Sequence, residues 1–244
     1  MSARITAATA ARVLRQLRGD HRTVAMLLVV PSVLMVLLRY VFDGAPHTFD
    51  RIGLPLLGIF PFVTMFLVTS VAMLRERTTG TLERLLTTRL AKLDLLIGYA
   101  LAFAVTALVQ VGIAAAIAFG WLGLDAAAGV GWVVLLAVTS ALLGMALGLL
   151  VSAFAATEFQ AVQFLPAVVL PQFLLCGLLV PRDRMLDLLR WVSDLLPLSY
   201  AVDGMTRVQS FTVDGQLGHD LSVMLGCIAA ALVLGAATLR RRTG

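Results

Sequence analysis

The sequence predicts an all-α polytopic membrane protein with six transmembrane helices, and three observations carry that prediction. Of the 244 residues, 60% are hydrophobic and only 14% charged, with a mean hydropathy of +0.96. Soluble domains lie nearer 45–50% apolar and about 25% charged. The apolar residues come in continuous runs of roughly 20, enough for a helix to cross a hydrocarbon core of about 30 Å. They do not alternate in ten-residue segments as barrel strands do. In lipid the backbone must satisfy its own hydrogen bonds, so the runs are helices.

The elements follow in order. Residues 1–22 carry Arg4, Arg12, Arg15, Arg18 and Arg22. They read as a basic interfacial helix, with Ile5, Val13, Leu14 and Leu17 toward lipid and the arginines toward headgroups. The stretch lacks the shape of a cleaved signal peptide, so span one is expected to be retained. Residues 23–244 form one six-helix transmembrane domain. Span one covers 24–42, span two about 53–74 and span three about 95–120. Span four covers about 130–153, span five about 160–180 and span six about 220–239.

Within the spans, Ser140, Gly144, Gly148 and Ser152 recur every fourth residue of span four. Such a stripe lets another backbone approach closely, either within the chain or across a subunit interface. Pro31 in span one, and Pro166 and Pro171 in span five, each remove a backbone donor and are expected to kink their helices. Before span six, Leu186, Leu189, Val192 and Leu196 alternate at helical spacing with Asp187, Arg190 and Asp194, and Pro197 is expected to stop that amphipathic helix.

Basic residues set the orientation. Thirteen of the 19 Lys+Arg fall before span one, between spans two and three, or after span six. Arg51, Arg182, Arg184, Arg190 and Arg207 fall on the other side, and Arg39 can snorkel from the outer end of span one. Both termini and the 75–92 loop are therefore expected in the cytoplasm, and the segment before span six outside. The net charge of +5 is accounted for by this asymmetry, which leaves no reason to expect a nucleic-acid partner.

Several function classes are disfavoured. No GxxxxGK[ST] loop occurs, so the chain brings no ATPase motif of that type. Asp94, Glu158, His219 and Asp220 sit at span edges, and no HExxH or paired intramembrane carboxylates occur. A membrane enzyme and a charge-selective channel are both poorly supported. Cys176 and Cys227 lie inside predicted spans and define neither a disulfide framework nor a metal site.

Residues 75–90, RERTTGTLERLLTTRL, interrupt the apolar pattern. Thr79 or Gly80 can cap a helix whose first turn holds Glu83, and Leu82, Leu85 and Leu86 share one face. On physics alone this is either a surface helix joining two spans or a docking helix for a cytoplasmic partner.

The segment LRERTTGTLERLLTTRLAKLDLLIGYALA resembles the cytoplasmic loop of type-2 ABC exporter permeases through Glu76, Arg77, Gly80, Thr81, Leu82, Glu83, Leu85, Leu86 and Gly98. It departs where that pattern often has proline, at Arg89, and lysine, at Tyr99. Residues 154–181, FAATEFQAVQFLPAVVLPQFLLCGLLVP, resemble the family's proline-bearing span five and the turn before it. Residues 185–208 resemble its extracytoplasmic helix and Leu-Pro-Leu-Ser/Thr-Tyr motif.

The resemblance implies the permease subunit of an ATP-driven exporter for an amphipathic or lipid-like substrate such as a drug, antibiotic or lipid-linked molecule. A polysaccharide or glycolipid exporter of the same family is the alternative, and a membrane enzyme or a non-transporting scaffold lies outside it. The implied partners are ABC ATPase subunits, a second permease subunit forming a homodimer or heterodimer, and the lipid bilayer. The implied docking residues are Glu76, Arg77, Gly80, Thr81, Glu83 and Arg84, with a secondary contact near Glu158. ATP and Mg would sit on the partner subunits, with no cofactor on this chain. Asp187, Arg190, Trp191, Pro197 and Tyr200 would belong to an extracytoplasmic gate region. The use of 18 Arg against 1 Lys points to a GC-rich bacterial genome, and so to a bacterial cytoplasmic membrane.

Overall fold

The computed structural model describes residues 3–80, 92–210 and 215–238. The expectations for Thr81, Glu83 and Arg84, and for a helix across 81–91, lie outside the described residues. Among the described residues the fold is all helical, with nine α-helices and one 3₁₀ turn. They are α1 Ala3–Gly19, α2 His21–Val41, α3 Pro46–Thr78, α4 Lys92–Gly120, α5 Val130–Val151, α6 Glu158–Leu175, α7 Asp187–Leu195, α8 Pro197–Gln209 and α9 Gly215–Thr238. Six of them (α2, α3, α4, α5, α6 and α9) are long and apolar enough to cross a membrane.

Local chemistry fixes several boundaries. Asp20 caps α2 by accepting from the Thr23 amide at 3.1 Å and its hydroxyl at 2.6 Å. Pro46 opens α3, where a missing N–H costs nothing. Thr157 caps α6 by accepting from the Gln160 amide at 3.2 Å, while the Gln160 side chain accepts from the Ala156 amide at 2.8 Å. This is a reciprocal arrangement akin to a capping box.

Helix α6 ends at Leu175, short of the expected 180, because Gly177 takes a left-handed φ of +93° and Pro181 follows. Pro197 does end one helix, as expected, but it also starts another: it is the first residue of α8, a helix the sequence reading did not foresee. Pro31, Pro166 and Pro171 lie inside α2 and α6, and Pro55 and Pro61 lie inside α3.

The centre of the fold is α5, which packs along α3. The stripe of small residues makes that seam, so Gly144 and Gly148 serve an intramolecular contact. A Cβ at Gly144 would collide with the Phe62 carbonyl, and one at Gly148 would reach the Phe66 carbonyl at 2.5 Å. Ser140 and Ser152 are fully buried in line with them. The Thr69 hydroxyl stitches the seam, bonding the carbonyls of Met65 at 2.7 Å and Met145 at 3.2 Å. Between α4 and α3, the buried Gln110 amide donates to the Thr64 hydroxyl at 2.7 Å.

One expectation is overturned at α1. Val13, expected toward lipid, is 3% exposed and packs in a core cluster with Leu95, Leu96 and Tyr99. Gly98 is the reason: a Cβ there would lie 2.7 Å from Thr9 and 3.1 Å from the Thr6 carbonyl. With no side chain in the way, α1 seats its apolar stripe, Leu14 and Leu17 included, on the protein. By contrast, Met26, Val29, Val33 and Leu37 on α2, and Phe159, Val162, Leu170 and Leu174 on α6, are exposed. Apolar faces of this kind suit lipid or a second chain.

Candidate functional site

The two ends of the bundle carry different polar clusters. At one end α3 terminates in RERTTG, and Gly80, at φ +70°, takes the chain out of the helix. Two ion pairs tie this terminus to the rest of the fold. Arg75 forks onto Glu158 at the start of α6, with Nε to Oε1 at 2.7 Å and Nη2 to Oε2 at 3.1 Å. Arg12 of α1 donates to Glu76 at 3.2 Å and to the Tyr99 hydroxyl at 3.1 Å, with its guanidinium 5.9 Å from the Tyr99 ring centroid.

Glu76 is only 5% exposed, and its carboxylate accepts from Arg12 of α1. Glu158 is likewise engaged, though half exposed. Arg77, in the last turn of α3, is partly buried.

Removing one member of a largely buried pair leaves the other charge unsolvated. Arg12→Ala is therefore expected to destabilise the fold by about 2–4 kcal/mol, discounted from the fully buried range because Arg12 itself reaches water. Replacing both residues by leucine should cost less than Arg12→Ala alone. Thermal unfolding of purified protein in detergent checks the order, and a double replacement worse than the single one would contradict it.

Beside these pairs runs a groove of about 670 Å³ between α1, α2, α3, α4 and α6. Leu27, Val30, Leu67, Val68, Phe103 and Val162 give it apolar walls, and Asp20, Arg75, Glu76 and Glu158 give it a polar rim. Hydrogen bonds from the Thr23 hydroxyl and amide hold the Asp20 carboxyl below the usual carboxylate range, so the rim keeps that negative charge.

The opposite end gathers the residues expected outside. Arg182, in the 3₁₀ turn after α6, pairs with Asp194 of α7 and Asp203 of α8, and its guanidinium lies 5.7 Å from the Tyr200 ring centroid. The Tyr200 hydroxyl donates to the Asp194 carbonyl at 2.7 Å. Burial pushes the Asp203 carboxyl up, and the Arg182 guanidinium acts against it. Arg207 and Asp220 pair at 3.3 Å, joining α8 to α9. Ser193 and Ser199 share a buried hydrogen bond at 3.0 Å that fixes the α7–α8 corner around Pro197.

Of the residues expected in a gate region, Tyr200 belongs to this cluster and Arg190 lines the pocket beside it. Asp187 and Trp191 are exposed on α7. The sequence reading missed Arg12, Arg75, Tyr99, Arg182 and Asp203 as pairing residues. The one signal for the first group was the departure at Tyr99: where the resembled pattern often carries lysine, Arg12 now brings the cation from another helix.

Comparison with known proteins bears on what this architecture belongs to. Residues 4–210 match the model of a family described as ABC-2 type transporter. ABC transporter G family member 20 of Dictyostelium discoideum is 27% identical over 167 residues, 68% of this chain. The chain spans only 23% of that relative's length.

Proposed function

The chain belongs to the ABC-2 type transporter family, and on that premise we propose that it is the permease of an ATP-driven exporter for an amphipathic or lipid-like molecule. It is a multi-pass membrane protein and an ABC transporter permease. The observation that carries the finer reading is the groove. Its apolar walls favour hydrocarbon and aromatic surface, and its charged rim favours a polar end. It opens beside Arg75 and Glu76, at the terminus from which the chain enters TGTLERLL. A partner pressing on that segment would move α3 against α6 and change the groove's width.

ATP and Mg would then bind on ABC ATPase subunits that dock at 76–84, around Arg77, Gly80, Thr81, Glu83 and Arg84. The exposed faces of α2 and α6 flank the groove and would meet a second permease subunit. The polar clusters support the orientation: Arg12, Arg75 and Arg77 share one end, and Arg51, Arg182, Arg190 and Arg207 the other. The first end would face the cytoplasm of a bacterial cell.

The test is reconstitution with candidate ATPase subunits, followed by ATPase and transport assays of a fluorescent amphiphile. Glu83→Ala and Arg84→Ala are expected to leave the permease folded and to lower substrate-stimulated hydrolysis about tenfold, a loss of roughly 1.4 kcal/mol of coupling. Wild-type coupling in both variants would remove the docking role from these residues.

A further inference from the structure

The end of the bundle away from the groove holds a second cavity of about 500 Å³. Four arginines line it: Arg51 from α3, Arg182 from the 3₁₀ turn, Arg190 from α7 and Arg207 from α8. Two are neutralised within the chain, Arg182 by Asp194 and Asp203, and Arg207 by Asp220. Arg51 and Arg190 meet no carboxylate among the described residues, although both face the same cavity. Two unpaired guanidinium groups opening into one cavity suit a group with several anionic oxygens, because each planar fork can donate twice. The ion pairs of Arg182 to Asp194 and Asp203 tie α7 and α8 to the 3₁₀ turn, so the helix that carries Arg190 is held against the cavity, while Arg51 comes from the first turns of α3.

A second observation says where such a group comes from. On α7 and its N-cap, Leu186, Leu188, Trp191 and Leu195 are between 67% and 75% exposed. A nine-residue helix with that face uncovered suits the boundary between acyl chains and headgroups, where tryptophan is enriched. Arg190 is carried by this same helix, which would set the cavity's opening at headgroup depth. Asp183 also lines it, and its carboxylate suits the hydroxyl or ammonium that glycerol and ethanolamine headgroups carry.

We propose that this cavity binds a phosphate group, supplied by the headgroup of a bilayer phospholipid, with Arg51 and Arg190 as its ligands and the acyl chains lying along α7. The proposal rests neither on the transport reading nor on which leaflet this end occupies, since both leaflets present phosphate.

The test uses the full chain, purified and delipidated in detergent, and native mass spectrometry of bound lipid. Phosphatidylglycerol is expected to be retained, and diacylglycerol with the same acyl chains is not. Arg51→Gln with Arg190→Gln is expected to weaken phosphatidylglycerol retention at least about tenfold, the scale of losing charged hydrogen bonds. Arg184→Gln, an exposed change that removes one positive charge in the adjacent turn, is expected to bind as wild type. Both arginines of the site are exposed, and wild-type elution and melting temperature of the unliganded variants exclude misfolding.

Inorganic phosphate, read by thermal shift, separates the sources. If it stabilises the protein through Arg51 and Arg190 while phosphatidylglycerol is not retained, the phosphate site stands and its lipid source falls. Unchanged retention in the double variant, equal retention of diacylglycerol, an equal loss in Arg184→Gln, or no response to either probe overturns the proposal.

Discussion

Gly148→Val is expected to remove most of the stability of the fold. The Cβ it adds would lie 2.5 Å from the Phe66 carbonyl and closer still to the Thr69 hydroxyl. The carbonyl belongs to helix backbone and has no rotamer to escape into. The two helices must therefore part, and with them go the Thr69–Met145 hydrogen bond and the contacts of Phe62, Phe66 and Leu143 in the core. Overpacking alone costs about 1–3 kcal/mol, and a lost buried hydrogen bond adds roughly 1. The sum approaches the whole stability of a typical domain, about 5 kcal/mol at the low end. Gly144→Val should behave alike, against the Phe62 carbonyl. Gly112→Ala on α4 has no atom within 4 Å of the new Cβ and should be tolerated. Monodisperse yield in detergent is the measurement, and a Gly148→Val protein that elutes and melts as wild type would refute the seam as described.

The second large effect is expected in function and not in stability. Arg75 and Glu158 are each slightly more than half exposed, so their pair is worth no more than about 1 kcal/mol to folding. It nonetheless spans the mouth of the groove, joining the last turn of α3 to the first residue of α6. Glu158→Arg turns that attraction into repulsion, a swing on the order of 1–2 kcal/mol, enough to shift a two-state opening about tenfold. Coupled transport by the reconstituted complex is expected to fall about tenfold, while the melting temperature stays close to wild type. Arg75→Glu combined with Glu158→Arg restores the pair in reverse and should recover most of the activity. If the double exchange is no better than the single one, the pair does not govern the groove.

The membrane architecture was legible because bilayer crossing imposes a length, and composition over some 20 residues is a strong signal. All six crossing helices coincide with apolar runs, and the errors fall where one residue changes the backbone. Gly177 ends α6 early, and Pro197 begins a helix as well as ending one. The stripe from Ser140 to Ser152 was visible as a stripe, but nothing in its spacing could choose between α3 and another chain as its partner. The polar network was the least legible part. Arg12 and Glu76 are 64 positions apart, Arg12 and Tyr99 87, and Arg75 and Glu158 83. No periodicity links such residues, and each alone reads as a basic or acidic residue at a span edge. Val13 was misplaced for the same reason: an amphipathic helix beside a membrane looks identical whether its apolar stripe meets lipid or protein. Only the absence of a side chain at Gly98 decides it.

The 18 residues of α6 have a consequence of their own. At 1.5 Å per residue they reach roughly 27 Å, slightly less than the hydrocarbon of an average bilayer. The helix cannot lengthen at either end. Thr157 and the Arg75–Glu158 pair pin one, and the Gly177 turn with the Arg182 cluster pins the other. The 33 residues of α3 have length to spare and answer a thicker bilayer by tilting. Longer acyl chains therefore strain α6 and not α3, and the strain is felt where the two are fastened together, at the mouth of the groove. The fatty-acid composition of the host membrane becomes a variable acting on this protein, graded in carbons per chain.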